Sequence, residues 1–295
     1  MAHRTPRSSY ERLSTRLNLF PQGAAPSDLL YKILALLFST AEAELVAALP
    51  IKPFTAELAA RNWKVSVVEA EKILQRLAGR ALLVDIRGKD KTEYVMPPPM
   101  AGFFEFALMR TRGDIDQKLL SELYEQYISV EDDFIRKLFL TGNTQLGRVF
   151  VLEDSVSSEH ALHVLDYERA TQVIETADEI GVGLCYCRHK REHQGKACDA
   201  EMDICMTFNT VAASLIRSEY ARRVDRHECK ELLHKAWEQN LVQFGENVQY
   251  VVNFICNCCP CCCEAMLAAQ RFCHVHPVHT SNFIARVETN CSGCG

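Results

Sequence analysis

Apolar residues at helical spacing alternate with capping and turn residues over the first hundred positions of the chain. The stripe over residues 29–38 predicts one helix, and Ser39 with Glu42 forms a capping box that opens a second. Ser66 with Glu69 forms a further capping box, which opens a later apolar stripe. The pattern also predicts helices over residues 55–64 and 66–79 and strands over residues 81–86 and 92–96.

The rest of the chain divides into a polar arm, connecting helices and a cysteine-rich region. The arm contains three prolines, which predicts no regular element before about Ser27. Beyond Gly147, helical runs alternate with strand-like runs at residues 161–165, 181–187, 248–255 and 282–287. We therefore predict an α+β fold with these segments: residues 1–26 as the arm, 27–100 as a helix-turn-helix module, 101–150 as connecting helices, 151–288 as a cysteine-rich α/β domain, and 289–295 as a short tail.

The helix, helix-turn-helix and two-strand hairpin of residues 27–97 resemble the winged-helix superfamily. That resemblance implies a module that binds either DNA or another protein. Its second helix carries Lys72, Arg76 and Arg80, but Glu69 and Glu71 lie near the end that approaches base edges. Because carboxylates there face phosphates at a cost, we expect protein docking in preference to DNA binding.

Composition and charge exclude a disordered or membrane-spanning chain. The chain has 295 residues and 48% hydrophobic content, which is enough to bury a core. No apolar run approaches the roughly 18 to 20 residues that cross a bilayer, and the first residues lack a secretory signal. The net charge is -5, although the first hundred residues hold 14 Lys and Arg against 10 Asp and Glu. We expect a soluble cytoplasmic protein without a membrane span, and its oligomeric state is not predicted.

The cysteines dominate the chemistry of the sequence. There are 14, none before Cys185, and six lie within residues 256–263. Disulfides are disfavoured because the chain lacks an export signal and because neighbouring cysteines such as Cys258 and Cys259 pair poorly with each other. Binding of a metal ion or an iron-sulfur cluster is therefore favoured.

The first cysteine group lies on the loop that follows a strand-like run, and comprises Cys185, Cys187, Cys198 and Cys205. Four thiolates from one loop predict a single metal ion or a 4Fe-4S cluster, with zinc as the alternative. The nearby cations Arg188, Lys190, Arg191 and Lys196 offset the charge of a cluster, bind an acidic partner, or are solvated loop residues. We expect His189 and His193 to be either loop histidines or donors to sulfur, in preference to metal ligands.

The second cysteine group lies between a strand-like run and a helical run, and comprises Cys256, Cys258, Cys259, Cys261, Cys262 and Cys263. Amides at a helix start stabilise anionic sulfur, so three or four of the six are expected to bind metal. Cys229 and Cys273 stand alone on helical stretches and are predicted to be small buried residues.

The third cysteine group is Cys291 and Cys294, at the end of the chain. Their spacing matches the opening of a ferredoxin cluster motif whose second half is missing. We therefore expect the sequence to be a fragment that ends inside a ferredoxin-like tail.

The cysteine motifs together resemble prokaryotic 4Fe-4S ferredoxin-type iron-sulfur proteins with a winged-helix-like N-terminal region. The motifs that carry the resemblance are residues 185–189, Cys198-Asp199, Cys205, residues 253–259 and residues 291–295. The resemblance implies 4Fe-4S clusters bound through the three cysteine groups, and electron transfer to a redox partner protein. A looser likeness links Cys229, Cys258-Cys259 and Cys291-x2-Cys294 to the CCG domains of heterodisulfide reductases, although Pro260 replaces their glycine.

Two other classes of function remain open from the sequence. The first is a metal- or cluster-responsive transcriptional regulator, in which the winged-helix-like module binds DNA. The second is an enzyme, but the chain has no P-loop, dinucleotide fingerprint or nucleophile elbow. An electron carrier or oxidoreductase subunit is therefore favoured over a stand-alone enzyme, and no catalytic residue is predicted.

Overall fold

The computed structural model describes residues 6–131, 133–140, 145–153, 156, 169–248, 250–273 and 277–281. Two predicted strands, at residues 161–165 and 282–287, lie outside the described residues, as do Cys291 and Cys294. The described part mixes helices with two antiparallel sheets, which agrees with the predicted α+β class.

The N-terminal module is built from five helices and a small sheet. Its elements are α1 (Pro6–Leu17), α2 (Asp28–Leu37), α3 (Thr40–Ala47), β1 (Phe54–Thr55), α4 (Ala56–Trp63), α5 (Val67–Gly79), β2 (Val84–Arg87) and β3 (Thr92–Val95). The strands pair antiparallel in the order β1-β3-β2. The capping box of Ser39 and Glu42 is present, and the Ser66 side chain accepts from the Glu69 amide. Capping and periodicity therefore predicted this module well.

The first 26 residues differ from the expected arm, because residues 6–17 form helix α1. Leu13 and Leu17 are fully buried, and α1 packs against α3. Arg16 is also buried, and its guanidinium donates to the carbonyls of Leu49 at 2.8 Å and Pro50 at 2.5 Å. The prediction was wrong because a proline at the first helical position is compatible with a helix.

Connecting helices follow the module as predicted. They are α6 (Phe104–Phe106), α7 (Gln117–Tyr124), which continues as a π-helical turn over Glu125–Val130, and α8 (Asp133–Leu140). Before them, Pro99–Phe103 forms an irregular turn in which Ala101 takes a left-handed φ of 57°. Phe103, Phe104, Tyr124 and Phe134 bury their rings together in this region.

A six-stranded antiparallel sheet forms the cysteine-rich region. Its elements are β4 (Gly147–Val149), α9 (Ala170–Thr176), β5 (Ile180–Leu184), α10 (Tyr186–Glu192), β6 (Asp203–Phe208), α11 (Asn209–Arg217), β7 (Arg222–Arg223), α12 (Arg226–Glu238), β8 (Val242–Glu246), β9 (Phe254–Cys258) and α13 (Glu264–Arg271). The strand order is β4-β8-β9-β6-β5-β7. Two predicted strands were misplaced: the one at residues 181–187 ends at Leu184, and the one at residues 248–255 is replaced by β8 and β9.

The two faces of this sheet bury different cores. On one face, Met206, Phe208 and Ile255 pack with residues of α9 and α12. The main core of the molecule extends from the N-terminal module across the connecting helices to the other face. No helix in the described part of the chain is long and apolar enough to cross a membrane.

Asp85 joins the N-terminal module to the cysteine-rich region. It lies on β2 and is nearly fully buried, and it accepts hydrogen bonds from Ser214 Oγ at 2.6 Å and Arg217 Nη2 at 2.8 Å, both on α11. Burial raises the pKa of Asp85, but the hydrogen bonds from Arg217 and Ser214 outweigh it, so the pKa lies below 3.8. These contacts of the buried Asp85 carboxylate therefore hold β2 against α11.

We expect Asp85→Asn to lower the free energy of unfolding by about 2 kcal/mol at pH 7, because it removes the charged acceptor of the hydrogen bonds from Ser214 and Arg217. The lowered pKa means that the stabilisation is present above pH 3.8 and is lost as the pH falls through the folded-state pKa. Urea unfolding curves at several pH values measure this. Exposed Asp178→Asn is the control, and an equal loss in both variants would contradict the assignment.

Candidate metal centre

The topology of the sheet brings two distant cysteine segments to one edge of the sheet, the edge formed by the ends of β5 and β9. Strands β5 and β9 both pair antiparallel with β6, so they run in the same direction and end at the same edge. Cys185 follows β5 as the N-cap of α10, and Cys263 is the N-cap of α13 after the turn that follows β9. Cys205 lies near the start of β6, at that same edge. The described thiols of this edge fall into two groups.

The outer thiol group is Cys198, Cys259, Cys261 and Cys262, whose sulfurs all lie within 4.8 Å of one another. Two of these distances are 3.7 Å, between Cys261 and Cys262, and 3.9 Å, between Cys262 and Cys198. A tetrahedral metal ion with metal–sulfur bonds of about 2.3 Å holds its ligands about 3.8 Å apart. The four thiols are therefore close enough together to hold one metal ion.

The outer thiol group lies partly at the surface. Cys259 and Cys262 are buried, Cys198 is half-buried and Cys261 is exposed. Burial raises the pKa of Cys198, but hydrogen bonds from the Ala200 amide and from the neighbouring thiols lower it by a larger amount. The net pKa shift therefore favours the thiolate. This thiol is prepared for binding a cation.

Arg188 supplies a buried positive charge between the cysteine segments. Its side chain is fully buried, and it donates to the carbonyl of Glu201 at 2.6 Å and of Asn257 at 2.6 Å. Burial lowers the pKa of Arg188, but the thiolates of Cys185, Cys259 and Cys198 raise it well above its ordinary value. Arg188 thus offsets thiolate charge, and the alternative of a solvated loop cation is wrong for this residue.

Lys190 is a second buried cation on α10. Its ammonium group contacts Glu264 and lies 2.7 Å from Glu125 Oε2, and no part of its side chain is exposed. Glu264 is the first residue of α13, directly after Cys263. The ion pair therefore fixes α10, which follows Cys185, against α13, which follows Cys263.

The inner thiol group consists of the remaining cysteines of this edge: Cys185, Cys187, Cys205, Cys256, Cys258 and Cys263. Their thiols contact one another in a chain, in the order 185, 187, 263, 258, 256, 205. The distance between Cys263 Sγ and Cys258 Sγ is 3.1 Å. Cys256 and Cys258 belong to this group together because alternate residues of a strand face the same side.

Charge is unevenly distributed along the inner thiol group. Hydrogen bonds from Cys187 and Cys258, helped by the Met266 and Ala265 amides, lower the pKa of Cys263 well below 9.0. Contact with Cys185 and Cys263, together with burial, raises the pKa of Cys187. Thiols in contact cannot all ionise, since like charges close together repel. Without a metal ion, most of this group therefore stays protonated.

A cavity of about 520 Å³ lies against the inner thiol group. Apolar side chains make up most of its wall, including Met96, Phe106, Met109 and Phe244. Glu105 also borders the cavity, and its two carboxylate oxygens accept hydrogen bonds at 2.7 Å from the amides of Ala101 and Gly102. Burial raises the pKa of Glu105 to about 7, despite these hydrogen bonds.

The predicted first group does not form one site. Cys198 joins the outer thiol group, whereas Cys185, Cys187 and Cys205 join the inner one. The second group divides in the same way, because Cys259, Cys261 and Cys262 are outer and Cys256, Cys258 and Cys263 are inner. No local sequence pattern indicates this division, since it depends on the register of the sheet.

The histidines and isolated cysteines show mixed outcomes. His189 lies on α10 and not on a loop, its ring stacks near that of His193, and its Nδ1 lies 2.7 Å from the Leu108 carbonyl. Cys229 is fully buried beside Met206 as predicted, but Cys273 is exposed, so that prediction was wrong. Glu105 was missed because its importance comes from the irregular turn at Ala101.

We expect the stability of the protein to fall as the pH rises from about 5 to about 8 through ionisation of Glu105. A pKa raised from 4.5 to about 7 favours the folded state below pH 4.5, and this contribution is lost as the pH passes about 7. The loss is at most about 3 kcal/mol, because each pKa unit corresponds to about 1.4 kcal/mol. Comparison of Glu105→Gln with exposed Glu122→Gln in unfolding experiments measures it. Parallel pH profiles for wild type and Glu105→Gln would contradict this prediction.

No protein-family model, curated protein or solved structure matches the chain. The chemistry of the residues themselves is therefore what indicates a function. What they provide is a cysteine cluster that could bind a metal ion.

Proposed function

We propose that this chain is an iron-sulfur electron-transfer protein, in which the outer thiol group holds iron and exchanges electrons with a partner oxidoreductase. The observation that carries the proposal is the gathering of four thiols from two distant segments within 4.8 Å. Thiolates are the ligands that iron-sulfur centres and zinc prefer. Iron, when bound there, supplies a centre that gains and loses one electron.

The surroundings of the outer thiol group favour a redox centre. Arg188 places a buried guanidinium beside Cys259, where it stabilises the more negative, reduced state of a thiolate-bound centre. Cys261 is exposed, so a partner protein can approach within contact distance of a ligand. The present sulfur spacing matches one metal ion, whereas the sequence resemblance implies 4Fe-4S chemistry.

Zinc is the competing occupant of the same four thiols. A zinc ion would satisfy the spacing equally well, since zinc also takes four thiolates in tetrahedral geometry. The two metals differ in their electronic properties, because zinc has no redox chemistry and gives no visible absorption. Metal content and colour of anaerobically prepared protein therefore distinguish them.

We expect the anaerobic protein to be brown and to contain iron and acid-labile sulfide. Cys261→Ser should lose roughly one metal ion's worth of iron, because a closed site needs all four ligands. Exposed Cys273→Ser is the matched control and should keep the full content. Iron analysis and a redox titration of the two variants measure this. Stoichiometric zinc without iron after anaerobic reconstitution would overturn the proposal.

A second candidate function is a metal-responsive winged-helix regulator. The β1-β3-β2 sheet beside α4 and α5 supports a module of winged-helix type. Asp85 on β2 is bound to α11, which directly follows the Cys205-bearing strand β6. A structural change at the thiols is therefore connected to the N-terminal module through β6, α11 and Asp85.

The exposed surface of α5 argues against DNA as the partner. Arg80 contacts Glu42 at 2.9 Å and Arg76 lies 3.5 Å from the same carboxylate, so both cations have an internal partner. Val67 and Val68 are exposed at the start of α5, beside Glu69. An apolar and acidic helix start suits a protein partner better than a phosphate backbone.

We expect the full chain to bind duplex DNA weakly, without sequence preference, and to release it at physiological salt. Fluorescence anisotropy with a labelled duplex at two salt concentrations measures this. Tight, sequence-selective binding that survives physiological salt and is abolished by Arg76→Ala would favour the regulator instead. Exposed Lys118→Ala, outside the module, is the control for a general loss of positive charge.

A further inference from the structure

The two thiol groups differ in how their sulfurs are spaced. Among the described residues, the outer four are the one set of cysteines gathered within 4.8 Å of one another. The inner six contact in a chain, so that alternate members are separated by two sulfur contacts. The two arrangements suit metal centres of different size.

Spacing distinguishes a single ion from a cluster. One tetrahedral ion draws its thiolates to about 3.8 Å from one another. A cluster keeps its thiolate ligands farther apart, because several irons and sulfides lie between them, and it takes about four of them. The chain of six contains three thiols that do not contact one another, Cys185, Cys263 and Cys256, and the fourth ligand of a cluster comes from one of the three thiols between or beside them.

The inner thiol group also has room beside it. The adjoining cavity has a volume of about 520 Å³ and is bordered by all six inner cysteines, whereas Cys259 is the one described member of the outer group that borders it. Buried thiolates in a mainly apolar cavity require positive charge nearby. Arg188 interacts with Cys185 at one end of the chain, and the irons of a bound cluster would supply the positive charge that lets thiols in the middle ionise.

We infer that the inner thiol group is a second, separate metal centre, which holds a polynuclear iron-sulfide cluster on the wall of the cavity, while the outer thiol group holds a single metal ion. This inference rests on the proposed function for the choice of iron. It assigns the acid-labile sulfide of the protein to a cluster whose ligands come from Cys185, Cys187, Cys205, Cys256, Cys258 and Cys263.

The chain links the two centres through adjacent residues. Cys258 belongs to the inner thiol group and its neighbour Cys259 to the outer one. In the same way, Cys262 belongs to the outer group and its neighbour Cys263 to the inner one. Neighbouring Cα atoms lie about 3.8 Å apart, so a single peptide unit connects ligands of the two centres. The outer centre is exposed to a partner and the inner one faces the cavity, which gives an electron a short path from the surface inward.

Iron and sulfide analysis of matched variants tests the inference. In the anaerobically reconstituted full chain, Cys256→Ser/Cys258→Ser should lose most of the sulfide and keep about one iron, that of the closed four-thiolate site. Cys261→Ser should lose about one iron and keep its sulfide. Retention of the outer iron and a native circular dichroism spectrum show that the inner variant has folded.

Two results would overturn the inference. The first is sulfide that disappears with Cys261→Ser and persists in the inner variant. The second is loss of both iron and sulfide in a natively folded inner variant, which would mean one shared centre. If Cys256→Ser/Cys258→Ser does not fold, Cys185→Ser/Cys205→Ser, at the two ends of the chain of thiols, is judged by the same readings. If the outer group binds no iron, the proposed function alone is contradicted. The assignment of sulfide to the inner group is tested separately, by the sulfide content of the variants.

Discussion

The charge of closely spaced, buried thiolates is the constraint on which the rest of this structure depends. Ten described cysteines meet at one edge of a sheet, where ionisation of one thiol opposes ionisation of the next. Beside these thiols, the described part of the chain places the buried guanidinium of Arg188 and the amides at the start of α13. These suffice for a few thiolates only, so the remaining thiols stay protonated unless a metal ion binds.

The antiparallel sheet makes that gathering possible. Strands β5 and β9 flank β6, so the segments that follow them leave the sheet at the same edge. The buried contact of Lys190 with Glu264 then fixes the two following helices against each other. On the other side of the same core, Asp85 ties the N-terminal module to α11, so the site lies within one continuous packing arrangement.

Local signals in the sequence predicted some features and missed others. The helices of the N-terminal module were predictable because capping residues and apolar periodicity act over a few neighbouring positions, as at Ser39 and Glu42. The cysteine-rich nature of the site was equally clear. Helix α1 was missed because its buried stripe, with Leu13 and Leu17, lies among many polar residues.

The composition of each thiol group could not be predicted, because it depends on long-range pairing. Cys198 lies closer in sequence to Cys205 than to Cys262, yet the fold places it beside Cys262. The burial of Arg188 and Lys190 is likewise a tertiary effect, since the same residues on an isolated loop would be solvated. Separation of adjacent cysteines into different groups follows from the backbone direction at the end of β9.

The central claim is that Cys198 binds metal together with the turn that follows β9, and alkylation of thiols followed by peptide mass spectrometry tests it most directly. In the metal-free protein, exposed Cys261 and half-exposed Cys198 should react quickly with iodoacetamide. After anaerobic loading with iron, the account predicts that Cys198, Cys259, Cys261 and Cys262 become protected together, while exposed Cys273 stays reactive. Continued reaction of Cys198 in protein whose Cys261 is protected would contradict the account.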